Sequence, residues 1–474
     1  MTRNLTVGPP TRLIVLFTLP LLLGNVFQQV YSFTDAAVVG RMIGLDALAA
    51  VGASGSLTFF LIGFTWGACS GLAIPTARTF GAGDMAGVRR SVAAGTVISA
   101  VMALVITGVG VSSAGALMRL LDTPPELLPD ATTFLVVTFL GTGATVAFNY
   151  LSAIIRALGD SRTPLMFLVV SSLLNAGLVV LLVGEAHLGV AGAALATLVA
   201  QLVSVGLCLW LVAARMPELH VRREDWRLAR GDYAEPLRMS MPMGFQMSVI
   251  AIGALVLQFA VNGLGPEAVA AFTVGVRIDL LAVTPLASFG VAVATFCAQN
   301  RGARQWRRIR EGVFRTTVLA LVFALVVGIA IIVLAVPMIR LFVGAGQGEV
   351  VSQAHRYLVV NGSLYVLLGS MFVLRNTLQG LGQAAVPTLG GVAELVCRVV
   401  AGLVLVPRLG FWGVCLAGPL AWLGAWVPMA AAWMRRRRVL IDEERLAALD
   451  AAAHHEARRD ETVAGVATPA GTCC

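Results

Sequence analysis

Short polar breaks divide the sequence into twelve long apolar stretches, at approximately 13–37, 47–72, 91–113, 131–155, 164–184, 190–214, 237–262, 268–297, 313–336, 353–379, 388–407 and 412–434. Each can cross the roughly 30 Å hydrocarbon core of a bilayer as a helix. Inside hydrocarbon every backbone N–H and C=O must be satisfied within the protein, so apolar stretches of this length fold as membrane helices. Only 12% of the 474 residues are charged, and the mean hydropathy is +0.86. The expected class is therefore an all-α polytopic membrane protein, with little chain left for a catalytic head.

The breaks carry the charge. All 34 basic residues are arginine. With the amino terminus placed in the cytoplasm, 26 of them fall on the cytoplasmic side, including the runs within 215–238, 301–315 and 435–459. This positive-inside bias accounts for the net charge of +9 without nucleic acid. It predicts a plasma membrane of the bacterial inner-membrane type, with both termini cytoplasmic. The lack of lysine excludes a Walker A phosphate loop and every Schiff-base lysine chemistry. No His-Glu-x-x-His, Gly-x-Ser-x-Gly or clustered His/Cys motif is present, so neither an enzyme nor a bound cofactor is expected.

Arg3 and Arg12 ahead of an apolar stretch could mark a signal peptide, but the stretch runs on to Gly40 without a persuasive cleavage site and reads as span one. The Cys473-Cys474 pair is not a C-a-a-X box. The remaining cysteines form neither a disulfide framework nor a zinc spacing.

An offset of about 221 residues superposes the two halves. Gly44-Leu-Asp-Ala-Leu-Ala-Ala50 lies over Gly265-Pro-Glu-Ala-Val-Ala-Ala271, and Gly81-Ala82 over Gly302-Ala303. Leu158-Gly159 lies over Leu381-Gly382, and Leu188-Gly189 over Leu409-Gly410. Each copy holds six spans, an even number, so the copies enter the membrane in the same orientation. The expected organisation is an amino lobe (1–214), a cytoplasmic linker (215–236), a carboxy lobe (237–434) and a cytoplasmic tail (435–474) that is disordered or partly helical. Gly63, Gly67 and Gly71 recur at helical spacing and point to close helix packing.

Six charges fall within spans: Asp35, Asp279, Glu394, Arg277, Arg375 and Arg398. Each costs at least about 2.5 kcal/mol in hydrocarbon and is a candidate site. Glu394 and Arg398, four apart, can neutralise each other. Arg277 and Asp279 point to opposite sides of span eight, so each needs a partner on another helix or a place at the central cavity. Arg375, near the inner end of span ten, is expected to snorkel to the interface. Asp35 has no such neighbour. Asn25, Gln28, Gln29, Ser32 and Asp35 share one face of span one, with Tyr31 beside Asp35. A capping acid near the outer end is one reading. The polar stripe favours the other, an interior proton or cation site whose desolvated carboxyl can exchange a proton. Pro20, lower on the same helix, supplies a bending point.

These motifs resemble the multidrug and toxic compound extrusion (MATE) family over roughly residues 10–435. They are Pro20, Asn25, Tyr31 and Asp35, the Gly-x-x-x-x-Leu-Ala-Ala-Val-Gly stretch ending at Gly52, Arg277-Ile278-Asp279, and Glu394 with Arg398. The resemblance implies a V-shaped pair of six-helix lobes around a central cavity. It also implies export of organic, often cationic or amphipathic, compounds in exchange for protons or sodium ions. The chain is similar to the branch that couples transport in the amino lobe, which places the coupling site at Asp35, Tyr31, Asn149, Asn175 and Thr197, with sodium or a proton at Asp35. Relatives often carry a second Asp one turn after the span-five Asn; Val179 stands there, which shifts weight toward protons. The carboxy-lobe charges Arg277, Asp279, Glu394 and Arg398 would then belong to the cavity. A monomer with a small organic substrate and lipid as its surroundings is the expected working unit. Phe27, Phe33, Phe289, Phe296, Met243 and Met247 could line an adaptable cavity, or simply pack. The rival reading is a flippase for a lipid-linked saccharide or other anionic headgroup, with Arg277, Arg375 and Arg398 as phosphate partners.

Overall fold

The computed structural model describes residues 4–42, 45–120, 126, 128–343 and 347–466, with the side chains of 29–42, 45–57, 59 and 450–466 outside the description. Among the described residues there is no strand. The first lobe holds α1 (Pro10–Met42), α2 (Leu45–Gly81), α3 (Met85–Leu120), α4 (Leu128–Leu140), α5 (Thr142–Ala157), α6 (Arg162–Val179) and α7 (Gly189–Arg215). The second holds α8 (Arg230–Asn262), α9 (Pro266–Gly302), α10 (Trp306–Val343), α11 (Gly348–Ser363), α12 (Tyr365–Gly380), α13 (Ala385–Val400), α14 (Val406–Leu409) and α15 (Phe411–Val466). Among the described residues ten helices are long and apolar enough to cross a membrane, and the number is twelve when each of two bent pairs, α4–α5 and α11–α12, is taken as one span.

The repeat is written into the irregularities of these helices. The fourth span bends by 44° between α4 and α5, and the tenth by 51° between α11 and α12. The fifth and eleventh spans each contain a π-helical segment, Val180–Glu185 and Ala401–Leu405. Such segments interrupt the i→i−4 ladder and are common at functional positions. The repeated glycines have a backbone reason. Gly159 and Gly382 turn the chain with φ of 88° and 75°, and Gly189 and Gly410 with 56° and 57°. Only glycine adopts these values without a Cβ clash.

One repeat position breaks this rule. Gly83 has φ 74° in the turn after α2, and its counterpart after α9 is Arg304, at φ 54°. The two turns carry the same backbone bonds: Gly83 N–H to Phe80 O, and Arg304 N–H to Arg301 O. Arg304→Gly is therefore expected to raise stability by about 1 kcal/mol, since a left-handed residue with a Cβ costs about that much. A thermal melt of the purified protein checks the sign. Gly83→Ala should lower stability although no atom crowds its Cβ position.

The connecting segments are packed. Met216 and Leu219 are buried in the amino-lobe core, and Arg89 on α3 pairs with Asp225 at 3.0 Å. The Arg222 backbone N–H and the Arg89 guanidinium, both bonded to Asp225, hold its carboxyl below the usual carboxylate range. Helix α8 begins at Arg230, inside the expected 215–236 linker. Helix α15 runs unbroken from the last span to Val466, and the rest of the expected 435–474 tail lies outside the described residues. Leu440 is fully buried with Leu5, Leu13 and Ile14, and Arg310 pairs with Glu444.

Candidate functional site

The lobes meet through residues that lack side-chain bulk. A Cβ on Gly71 of α2 would lie 2.6 Å from the Ser240 Cα of α8, and one on Gly63 would touch the Met247 Cβ at 3.7 Å. A Cβ on Gly67 would collide with the Met243 carbonyl. The close packing expected at these three positions thus joins the two lobes. At the arginine-rich end, Gly81 abuts the Gln299 backbone and Gly302 abuts the Arg78 carbonyl, so the repeat's paired glycines close the lobes on each other. Gln299, fully buried, accepts the Leu5 N–H at 2.8 Å and donates to the Ala157 carbonyl at 2.7 Å. It ties the amino-terminal segment and α5 to the end of α9. Arg78 and Glu235 add an ion pair between α2 and α8.

Above this closure lies a cavity of about 200 Å³, walled by α2, α5, α8, α9 and α12. Trp66, Met243, Met247 and Phe372 give it apolar surface, and Arg156, Arg375 and Asn376 give it polarity. Of the residues considered as adaptable lining, Met243 and Met247 are here. Phe289 and Phe296 lie instead in a packed core with Leu13 and Phe17, Phe27 is exposed, and the side chain of Phe33 lies outside the described residues.

The carboxy-lobe charges are arranged differently from the expectation. Arg277, Asp279, Glu394 and Arg398 are not among the residues lining this cavity. Asp279 is buried in the lobe and accepts the Tyr365 hydroxyl proton at the start of α12. Glu394, 2% exposed, is held chiefly by Arg375, with Arg398 at 3.7 Å as its weaker partner. Arg375 does not snorkel: it is 3% exposed, because the buried carboxylate on α13 offers its guanidinium a nearer partner than the interface does. Arg277 is exposed, on the opposite side of α9. The Arg375–Glu394 pair is invisible to spacing rules because it joins two helices.

In the amino lobe, a smaller cavity of about 120 Å³ is walled by Pro20, Asn25 and Gln28 of α1 together with Asn149, Ser152 and Arg156 of α5. Part of the predicted polar stripe of span one thus faces a cavity. Asn25 also donates to the Ser288 hydroxyl of α9 at 2.9 Å, linking the lobes. Asn175, 2% exposed, donates to Thr197 Oγ1 at 3.1 Å, so two residues of the expected coupling set touch. The Asn175 Oδ1 is buried without a hydrogen bond. Val179, one turn on, is buried. Asp35 and Tyr31 lie on α1, but their side chains are outside the described residues. The residue that sequence reasoning missed is Arg156. It lies one residue past the fourth apolar stretch, 131–155, and faces both cavities from the last turn of α5.

Comparisons with known proteins agree with this architecture. The family model MatE matches the chain twice, over residues 20–181 and 242–404, one match per lobe. The chain is 29% identical over 381 residues to the probable multidrug resistance protein YpnP of Bacillus subtilis, covering 80% of this chain and 84% of that one. It is 22% identical to an FAD transporter of Shewanella oneidensis, covering 88% and 93%. The solved outward-facing structure of a multidrug resistance MATE family transporter matches with a TM-score of 0.85, 22% identity, and coverage of 93% and 100%. Two family matches on two six-span lobes, closed around one cavity, place the chain in the MatE family of multidrug efflux transporters.

Proposed function

We propose that the protein is a secondary antiporter that exports organic compounds in exchange for protons or sodium ions by alternating access. The observation that carries this reading is the cavity between the lobes, shut at its arginine-rich end by the paired glycines Gly81 and Gly302. Two lobes joined by small residues can rock about such a site. The arginine-rich end is the cytoplasmic one by the positive-inside rule, so both termini lie in the cytoplasm and the membrane is a bacterial-type plasma membrane. A single chain is taken as the working unit.

Coupling is assigned to Asp35 and Tyr31 with Asn149, Asn175 and Thr197, with Pro20 as the hinge. Supporting it are the Asn175–Thr197 contact, the spare buried oxygen of Asn175, and the polar cavity bearing Asn149 and Pro20. Val179, apolar where a second acid would strengthen a dehydrated sodium site, favours protons. Two of the three phosphate partners of the flippase reading, Arg375 and Arg398, are engaged by Glu394, and the third, Arg277, does not line the central cavity, which counts against that reading.

The test is substrate flux in vesicles with proton and sodium gradients imposed separately. Asp35→Asn should fold and still bind substrate, yet lose gradient-driven transport by at least tenfold. Full coupled transport by this variant would refute the amino-lobe site.

A further inference from the structure

Among the described residues of the central cavity wall, Arg156 is the one charge without a carboxylate partner. Among the described residues the cavity lining contains no Asp or Glu, and Arg375, its other arginine, has its charge paired by Glu394. The repeat sharpens the contrast. By the Leu158–Leu381 correspondence, the second copy has Gln379 where the first has Arg156, and Gln379 is neutral and bonded to the Gln246 side chain at 2.8 Å. A guanidinium stays protonated in proteins and is costly to hold within a membrane without a counter-charge. It is retained here at the boundary of two cavities, beside Trp66 and Asn149.

We infer that Arg156 is the anion-recognising group of the central cavity, and that the exported compounds carry a carboxylate, sulfonate or phosphate attached to an apolar, often aromatic, body. Resting on the antiport reading, this narrows its substrate class and departs from the cationic compounds that family resemblance suggests. The guanidinium fork binds such groups through two parallel N–H donors. Trp66, Met243, Met247 and Phe372 receive the apolar body.

Fluorescein and rhodamine 123 test this, because they share a xanthene core and differ in charge. Binding to the purified full-length protein is measured by fluorescence anisotropy, and size-exclusion elution establishes that each variant is folded. Wild type should bind fluorescein more tightly than rhodamine 123. Arg156→Gln should weaken fluorescein binding about tenfold or more, the usual worth of a charged hydrogen bond, and leave rhodamine 123 binding unchanged or tighter. Arg156→Lys should keep part of the affinity, since it retains the charge but loses the fork. Tighter binding of rhodamine 123 by wild type, absence of fluorescein binding, or equal fluorescein binding by Arg156→Gln overturns the inference. Vesicle flux separates the two readings. Arg156-dependent binding with no flux under either gradient would defeat antiport and leave the anion site standing. Gradient-driven rhodamine 123 flux untouched by Arg156→Gln would do the reverse.

Discussion

Replacing Arg375 by methionine is expected to destabilise the protein by about 3–5 kcal/mol, the cost of stranding one member of a buried ion pair. Both partners are shielded, with side-chain exposures of 4% for Arg375 and 3% for Glu394. Loss of the guanidinium leaves Glu394 with only Arg398, 3.7 Å away. Methionine is apolar and flexible enough to fill much of the vacated volume, so the penalty is mainly electrostatic. Arg398→Met should cost less, about 1 kcal/mol, because its contact is longer and its side chain is 14% exposed. The informative variant is the double replacement Arg375→Met with Glu394→Met. Replacing a whole buried pair by apolar residues is often neutral or stabilising, so most of the loss should return. Thermal melting of the three variants in one detergent decides the matter. A double variant as unstable as Arg375→Met would show that packing, and not the stranded carboxylate, sets the cost.

The same pair shows how much was legible in the sequence. The spans, their number and the repeat could be read because hydrocarbon enforces long apolar helices, and because the repeated glycines sit at turns that need a positive φ. Contacts at helical spacing could be read too, which is why Glu394 and Arg398 were paired. Arg375 lies 19 residues from Glu394 and Tyr365 lies 86 from Asp279, separations that no periodicity reports. The bends at Gly141 and Leu364 were also hidden, since bending requires no proline when neighbouring helices support the break. Arg156 does not stand out in the sequence, because a charge at the end of an apolar stretch looks like an orienting charge. Only the close packing of α2, α5, α8, α9 and α12 shows that this end of α5 faces inward. For Asp35 and Tyr31, the stripe on span one is supported as far as Asn25 and Gln28, whose side chains face the amino-lobe cavity.

Gly302→Val should hold the lobes apart at the arginine-rich end and reduce transport by at least tenfold. A Cβ at Gly302 would overlap the Arg78 carbonyl and lie 2.8 Å from the Ala82 backbone nitrogen, and neither atom is the free end of a flexible side chain. Since these atoms belong to the opposite lobe, the strain can be relieved by separation of the lobes without unfolding either one. An overpacking penalty of about 1–3 kcal/mol applied to the closed arrangement alone changes its equilibrium constant by roughly five- to 150-fold. Gly81→Val should act likewise from the other lobe, because a Cβ there would lie 2.5 Å from the Gln299 Cα. Gly108→Val, with open space around its Cβ, is the control and should leave transport intact. Spin labels on Met85→Cys and Arg307→Cys, both exposed near the ends concerned, report the separation in a background without other cysteines. The distance should lengthen in Gly302→Val and Gly81→Val and stay put in the control. Unchanged distances with full transport would mean that the glycine closure is not a gate, and the rocking mechanism would then need its hinge elsewhere.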